Sequence, residues 1–350
     1  MMFQDDKIGI GWGRLAPMDE FGSFDGLKWT LDEAKAKIEF DAVSKAGANL
    51  VRVMPYGVWG KHPGGKKTYQ FQPYVLDAVK DKWDLAIFND YYFPIMKKIF
   101  GLANGVGLTV LFDLFDNCQF HGAYAKYSPW FSNVQGLTSF YGKNADVFSK
   151  RWVSTMTLRY AAFDMIWGFG NEMENAAFPD FAKRVIFPYI KLRKIPFSRL
   201  TYGATMKNCG AADSVQDTVR KAVRNEFGLV AEKDIIQEDH GFSFTWGLST
   251  WGSKPYRKLF SDDGCYTGKS LCDIRPGKGA RPSAAEWGKL SLDILKKYPT
   301  SLGGRARLIS FEHLPAGYST GSLECKVAPI RAISAAYRAR FGTWPKNYKS

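Results

Sequence analysis

One pattern recurs along most of the chain: a short apolar run that turns polar at its carboxyl end, then a longer stretch whose apolar residues return every three or four positions. Runs of the first kind read as strands buried on both faces, and stretches of the second as amphipathic helices. Their alternation calls for a parallel sheet with helices packed outside it. The first run is Ile8 to Trp12. Thr30 and Glu33 then form a capping-box pair, and Leu31, Ala34, Ile38, Ala42 and Ala46 keep helical spacing until Gly47. A second run from Ala48 carries Arg52 and stops at Pro55. The polar, Gly-rich KHPGGKKTYQ separates it from a helix around 91–104, and the third run spans Leu108 to Asn117.

Val147, Phe148, Trp152, Met156 and Tyr160 stripe the next helix, which leads into the fourth run, Met165 to Phe169, and its polar tail Asn171, Glu172, Glu174. A helix near 181–192 and a fifth strand from Arg199 follow. Ser214 with Asp217 opens a helix striped by Val215, Val219, Val223 and Phe227, and the sixth strand is Asp234 to His240. Residues 241–282 are rich in Trp, Gly, Ser, Asp and Pro without any period, which marks a long functional loop. Ser283 and Glu286 cap a helix carrying Trp287, Leu290, Ile294 and Tyr298. Arg307 to Pro315 is the seventh strand, and a last helix runs from about Val327 to Phe341.

Such alternation folds either as a closed barrel or as an open doubly wound sheet. The open sheet with a dinucleotide predicts GxGxxG after the first strand, and GIGWGRL lacks it. A single (β/α)8 TIM barrel spanning 1–350 is expected, with an irregular or missing eighth strand and the 241–282 insertion after strand six. A barrel of this kind needs about 250 residues and grows by loop insertion, so 350 residues suffice.

Composition narrows the chemistry. The basic excess, 48 − 34 = +14, is spread along the chain, which favours a solvated surface. It leaves an anionic glycan, an acidic protein or nucleic acid open as partners, and no nucleic-acid module shows its signature. No run of about 18 apolar residues suggests a membrane span. The first residues lack a basic region followed by an apolar one, so no secretory signal is expected, and the chain is expected in the cytoplasm or exported by a signal-independent route. Oligomeric state is open. Among five cysteines, Cys265 and Cys272 flank a short loop and could pair, whereas Cys118, Cys209 and Cys325 read as isolated thiols. His62, His121, His240 and His313 lie far apart, so neither a metal nor a cofactor is expected.

What remains is a set of carboxylates at strand ends: Asp113, Asp116, Glu172, Glu174, Glu238 and Glu312. In a closed α/β barrel that rim carries the chemistry. Two carboxylates facing each other across it are what glycosidic bond cleavage needs, one protonated to assist the leaving oxygen and one ionised to attack or to activate water. A helix cap or a surface ion pair is the alternative use of Asn171 and Glu172.

The order of these residues resembles the large retaining glycoside hydrolase clan with (β/α)8 barrels. There the acid/base Glu follows an Asn at the end of strand four, as in GFGNEMEN with Asn171 and Glu172, and the nucleophile Glu ends strand seven, as in LISFEHLP with Glu312. Two further motifs are similar to the cellulase and mannanase branch. LVRVMPYGVW puts Arg52 where an Arg braces the nucleophile, and DHGF puts His240 beside the acid/base, with Phe242 where Tyr is usual. The resemblance implies a retaining hydrolase of β-linked poly- or oligosaccharide, with Glu312 as nucleophile, Glu172 as acid/base and Asn171 on the sugar 2-hydroxyl.

From the residues themselves, Arg52 could equally form a structural ion pair and His240 a core contact, while Glu238 is the rival nucleophile. Trp59, Trp130, Trp246 and Trp251, in predicted loops, are candidate sugar platforms or core residues; Trp152 and Trp287 read as core. Exposed loop aromatics would suggest an endo mode. The departures at Phe242 and at the missing platform after strand eight keep a second class open: a non-catalytic barrel that binds glycan or serves a larger assembly.

Overall fold

In the computed structural model, the runs LVRV, TVLFD and MIWG are strands whose every side chain is buried. β-Branched and aromatic residues behave this way where helices cover one face of a sheet and the curled interior fills the other. Residues 8–15, 17–25, 28–56, 71–116, 119–120, 125–170, 173, 175–195, 200–203, 236–238 and 307–311 are described, with positions 323, 327, 330, 331, 334 and 335. For 8–15, 19, 201–203, 236–238 and 307–311 the description is of the backbone.

The chain begins with β1 (Ile8–Leu15), α1 (Pro17–Phe21), β2 (Gly22–Phe24), β3 (Trp29–Leu31), α2 (Glu33–Lys45) and β4 (Leu50–Val53). Then come β5 (Tyr74–Asp77), β6 (Lys82–Phe88), α3 (Tyr92–Gly105), β7 (Thr109–Asp113), a 3-10 turn (Lys143–Ala145) and α4 (Asp146–Arg159). β8 (Met165–Gly168) precedes α5 (Phe178–Phe181), a π-helical turn (Ala182–Ile186) and α6 (Phe187–Leu192). The last strands are β9 (Leu200–Gly203), β10 (Ile236–Glu238) and β11 (Arg307–Phe311).

Seven strands, β1, β4, β7, β8, β9, β10 and β11, pair in parallel in that order, and β11 pairs with β1, so the sheet closes into a barrel. β1 meets β11 directly, from Ile8 opposite Arg307 to Trp12 opposite Phe311, which leaves no place for an eighth strand between them. Among the described residues the barrel thus has seven strands where a (β/α)8 count expects eight, and the eighth is the one that sequence marks as irregular or missing. The α/β alternation holds from β1 to β9, and the connections between β9, β10 and β11 lie outside the described residues.

Helices pack outside. Ala36, Glu39, Phe40 and Val43 are the buried stripe of α2; Phe93, Met96, Phe100 and Ala103 lie on that of α3, and Trp152, Val153 and Met156 on that of α4. The cap of α2 differs from the expected capping box. Thr30 sits in β3, and Asp32 caps the helix by accepting the Lys35 N–H through Oδ1 at 2.9 Å. Both α2 and α3 hand over to the next strand through a glycine in the left-handed region, Gly47 at φ 109° and Gly107 at φ 82°, where a side chain would be strained.

The helix expected near 181–192 is present as an unbroken helical run of α5, a π-helical turn and α6. Pro188 follows the turn: it cannot donate an N–H, and its ring crowds the carbonyl four residues back. Two antiparallel hairpins, β2 with β3 and β5 with β6, lie outside the alternation. Near the C-terminus, positions 327, 330, 331, 334 and 335 are helical, with Val327, Ile330 and Ser334 buried. The expected helices over 214–227 and 283–298 and the 241–282 insertion lie outside the described residues. No described helix is long and apolar enough to cross a membrane.

Candidate functional site

Alternation along β4 and β7 separates two faces. Val51, Val53, Val110 and Phe112 belong to the main hydrophobic cluster. Phe112 packs edge-on against Phe100 of α3 and tilted against Trp152 of α4, so this face looks outward to the helices. Leu50, Arg52, Leu111 and Asp113 take the other face, which looks into the barrel, because side chains alternate with a period of two. Arg52 stands opposite Leu111 in register, and Asp113 lies two residues further on the same face.

The consequence is a buried ion pair at the carboxyl end of the barrel. Arg52 Nε donates to Asp113 Oδ2 at 2.8 Å, and the side chains are 1% and 0% exposed. Such a pair is costly to desolvate and costlier still to break, since removing one partner strands a charge away from water. Gly168 of β8 is the register partner of Asp113. A Cβ on Gly168 would lie 2.3 Å from Asp113 Oδ1, so the glycine is what lets this carboxylate occupy its position. Gly170 serves similarly, since a Cβ there would meet the Met173 side chain at 2.5 Å and the Phe115 carbonyl oxygen at 3.3 Å.

Aromatic side chains from the helices hold the strand ends. The Tyr92 hydroxyl donates to the Pro55 carbonyl just after β4, at 2.5 Å, and Trp152 Nε1 donates to the Leu114 carbonyl just after β7, at 2.7 Å. Beside them, Tyr56 and Asp116 are buried. Burial pushes the Tyr56 phenol far above its ordinary value; the nearby Trp130 indole offsets part of the rise and the Asp116 carboxylate adds to it. The Tyr56 hydroxyl and Trp130 Nε1 do not reach hydrogen-bonding geometry. Gln72 Nε2 donates to Gln119 Oε1 at 3.4 Å, and both side chains are buried.

Among the residues singled out from sequence, Arg52 and Asp113 are brought together and Asp116 is buried nearby. Trp130 is fully buried, packed edge-on against Tyr74, Phe115 and Phe140, so it is a core residue and not an exposed sugar platform. Trp152 is core, as its helical stripe predicts. Glu238 ends β10, where the backbone alone is described. Asn171, Glu172, Glu174, His240, Phe242, Glu312, Trp59, Trp246, Trp251, Trp287, the five cysteines and His62, His121 and His313 lie outside the described residues. Sequence reading leaves Asp113 without a partner and Gly168 without a role; the parity of Arg52 and Asp113 on neighbouring strands is the signal that joins them.

No protein-family model matches the sequence, and no curated protein does. Solved structures do. A GH5_18 variant from Streptomyces cattleya, crystallised with Manβ1-4GlcNAc, is similar at TM-score 0.58 and 13% identity, over 97% of this chain and 83% of that one. GH5_18 from the same organism with GlcNAc gives 0.56 and 12%, over 97% and 82%. GH5_18 from Bifidobacterium longum subsp. longum gives 0.53 and 10%, over 97% and 80%. Likeness at such identity establishes a shared fold.

Proposed function

We propose that the protein is a glycoside hydrolase cleaving β-glycosidic bonds in a poly- or oligosaccharide by a retaining double displacement at the carboxyl rim of its parallel barrel. The observation that carries this reading is topological. β8 and β11, whose sequences lead into Glu172 and Glu312, are parallel members of one closed barrel with β9 and β10 between them, so both chains leave at the same rim. The shared fold with GH5_18 structures, one of them bound to Manβ1-4GlcNAc, supports the same reading.

In this mechanism the Glu312 carboxylate attacks the anomeric carbon while Glu172 gives its proton to the departing glycosidic oxygen. Glu172, now ionised, takes a proton from water, which attacks the anomeric carbon and frees Glu312. Retention calls for the two carboxyl groups to stand about 5–5.5 Å apart. Arg52, anchored to Asp113 through Nε, braces Glu312 and keeps it ionised. Asn171 holds the sugar 2-hydroxyl, His240 orients the acid/base, and Trp59, Trp246 and Trp251 offer ring faces to an extended, endo-cleaved chain.

The test is a polysaccharide panel with wild type, Glu172→Gln and Glu312→Gln, with product anomers followed by NMR. Wild type releases sugar with retained configuration, and each variant loses roughly 10²–10⁴-fold or more in rate. Full activity in either variant, or an inverted product, overturns the assignment. A wild type that binds glycan and releases nothing supports the non-catalytic barrel instead.

A further inference from the structure

Outside the barrel, α4 and α6 border an open groove of about 540 Å³, within the roughly 300–1,000 Å³ usual for small-ligand sites. Its wall carries Lys143, Lys150, Arg151, Ser154, Thr155 and Tyr189. Lys143 lies in the 3-10 turn, and Lys150, Arg151, Ser154 and Thr155 recur along α4 at the spacing of one side, so the wall presents cations and then hydroxyls. The carboxylate in the wall, Asp146, is already taken. Arg184 donates to it twice, Nε to Oδ2 at 2.9 Å and Nη2 to Oδ1 at 3.1 Å, leaving three cations without a compensating carboxylate in the wall.

Some surface lysines are paired and others are not. Lys45, Lys80 and Lys98 each meet a carboxylate, whereas Lys143 and Lys150 meet none among the described residues. Arg151 is held in place by stacking over Phe88 and by donating to the Ala86 carbonyl, which orders its charge without neutralising it. Tyr189, half buried on α6, gives the opposite wall an aromatic edge. Because α4 joins the parallel strands β7 and β8, it runs back along them, and its first turn lies toward the carboxyl rim of the barrel.

We propose that this groove binds an acidic oligosaccharide, a chain bearing uronate or sulfate groups, and steers it toward the rim. The cations meet the anionic groups, the Ser154 and Thr155 hydroxyls meet sugar hydroxyls, and the Tyr189 ring meets an apolar sugar face. This deepens the glycoside hydrolase reading and rests on it for the choice of glycan over other polyanions.

The test uses the full chain and the double variant Lys143→Glu/Lys150→Glu, by affinity electrophoresis and calorimetry. Probes are a β-1,4-linked oligoglucuronate, a sulfated cello-oligosaccharide, neutral cellohexaose and duplex DNA at matched ionic strength. Wild type retains at least one acidic glycan in a salt-sensitive way and prefers it to cellohexaose and DNA; the variant, with an unchanged thermal midpoint, weakens that binding by roughly tenfold. The two acidic probes decide between uronate and sulfate. Unchanged binding in the variant, no acidic-glycan binding by wild type, or a preference for DNA overturns the proposal. Lysine-dependent glycan binding without any sugar release leaves the groove standing and removes the hydrolase reading, so the two failures are distinct.

Discussion

Two Arg–Asp pairs in this molecule use the same chemistry in opposite surroundings. Arg52 and Asp113 meet inside the barrel at 1% and 0% exposure through one described bond. Arg184 and Asp146 meet on the outer wall at 31% and 11% exposure, through two bonds, with a further donation from Arg184 to the Tyr141 carbonyl at 3.2 Å. The outer pair has the better geometry, and its hydrogen bonds with Asp146 hold the Arg184 guanidinium still more firmly protonated. Yet the inner pair is the one whose loss the fold feels more, because water can solvate what remains of the outer pair. Burial, not bond count, ranks them.

The largest effect should come from Asp113→Ala, which removes the described partner of a buried guanidinium and should cost about 3–5 kcal/mol in a urea titration. A loss no greater than that of Arg184→Ala would break the ranking. Next, Gly168→Ala places a methyl against the Asp113 carboxylate and should cost about 1–3 kcal/mol as overpacking. In a double-mutant cycle with Asp113→Ala the two costs should fail to add, and strict additivity would separate the glycine from the pair. Arg184→Ala should cost about 1 kcal/mol or less. Smallest of all, Lys143→Glu/Lys150→Glu should leave unfolding free energy within about 0.5 kcal/mol, as surface changes do. A large loss there would show those lysines to be structural.

Sequence carries the barrel strands well, because a buried parallel strand writes itself as a continuous apolar run: Leu50–Val53, Thr109–Asp113 and Met165–Gly168 all fall inside predicted runs. The hairpins escape it for local reasons. β2 and β3 have an Asp-Gly turn signal at Asp25, but each strand is only three residues long, too short to show a period. β5 and β6 turn through Asp77, whose Oδ1 accepts from the Val79 and Lys80 N–H groups, and through Asp81 at φ 48°, a junction without glycine. Trp130 is left undecided between platform and core in sequence because its burial depends on Tyr74, Phe115 and Phe140, brought from three separate stretches of chain. At the site, the Arg52 motif is legible and its Asp113 partner is recoverable from strand parity. The groove on α4 is not, since a file of cations on a helix looks like any solvated face until α6 supplies a second wall.

Direct pairing of β1 with β11 also sets a timetable for synthesis. Ile8 finds its partner at Arg307, so on a ribosome adding about 5–20 residues per second the first strand waits roughly 15–60 s with one edge uncovered. Partial sheets built from β1, β4, β7 and β8 exist before the ring can close, and an open edge recruits other chains. Nascent-chain survival, rather than the finished barrel, is where this topology asks most of the cell: the strand made first is the last to be sealed.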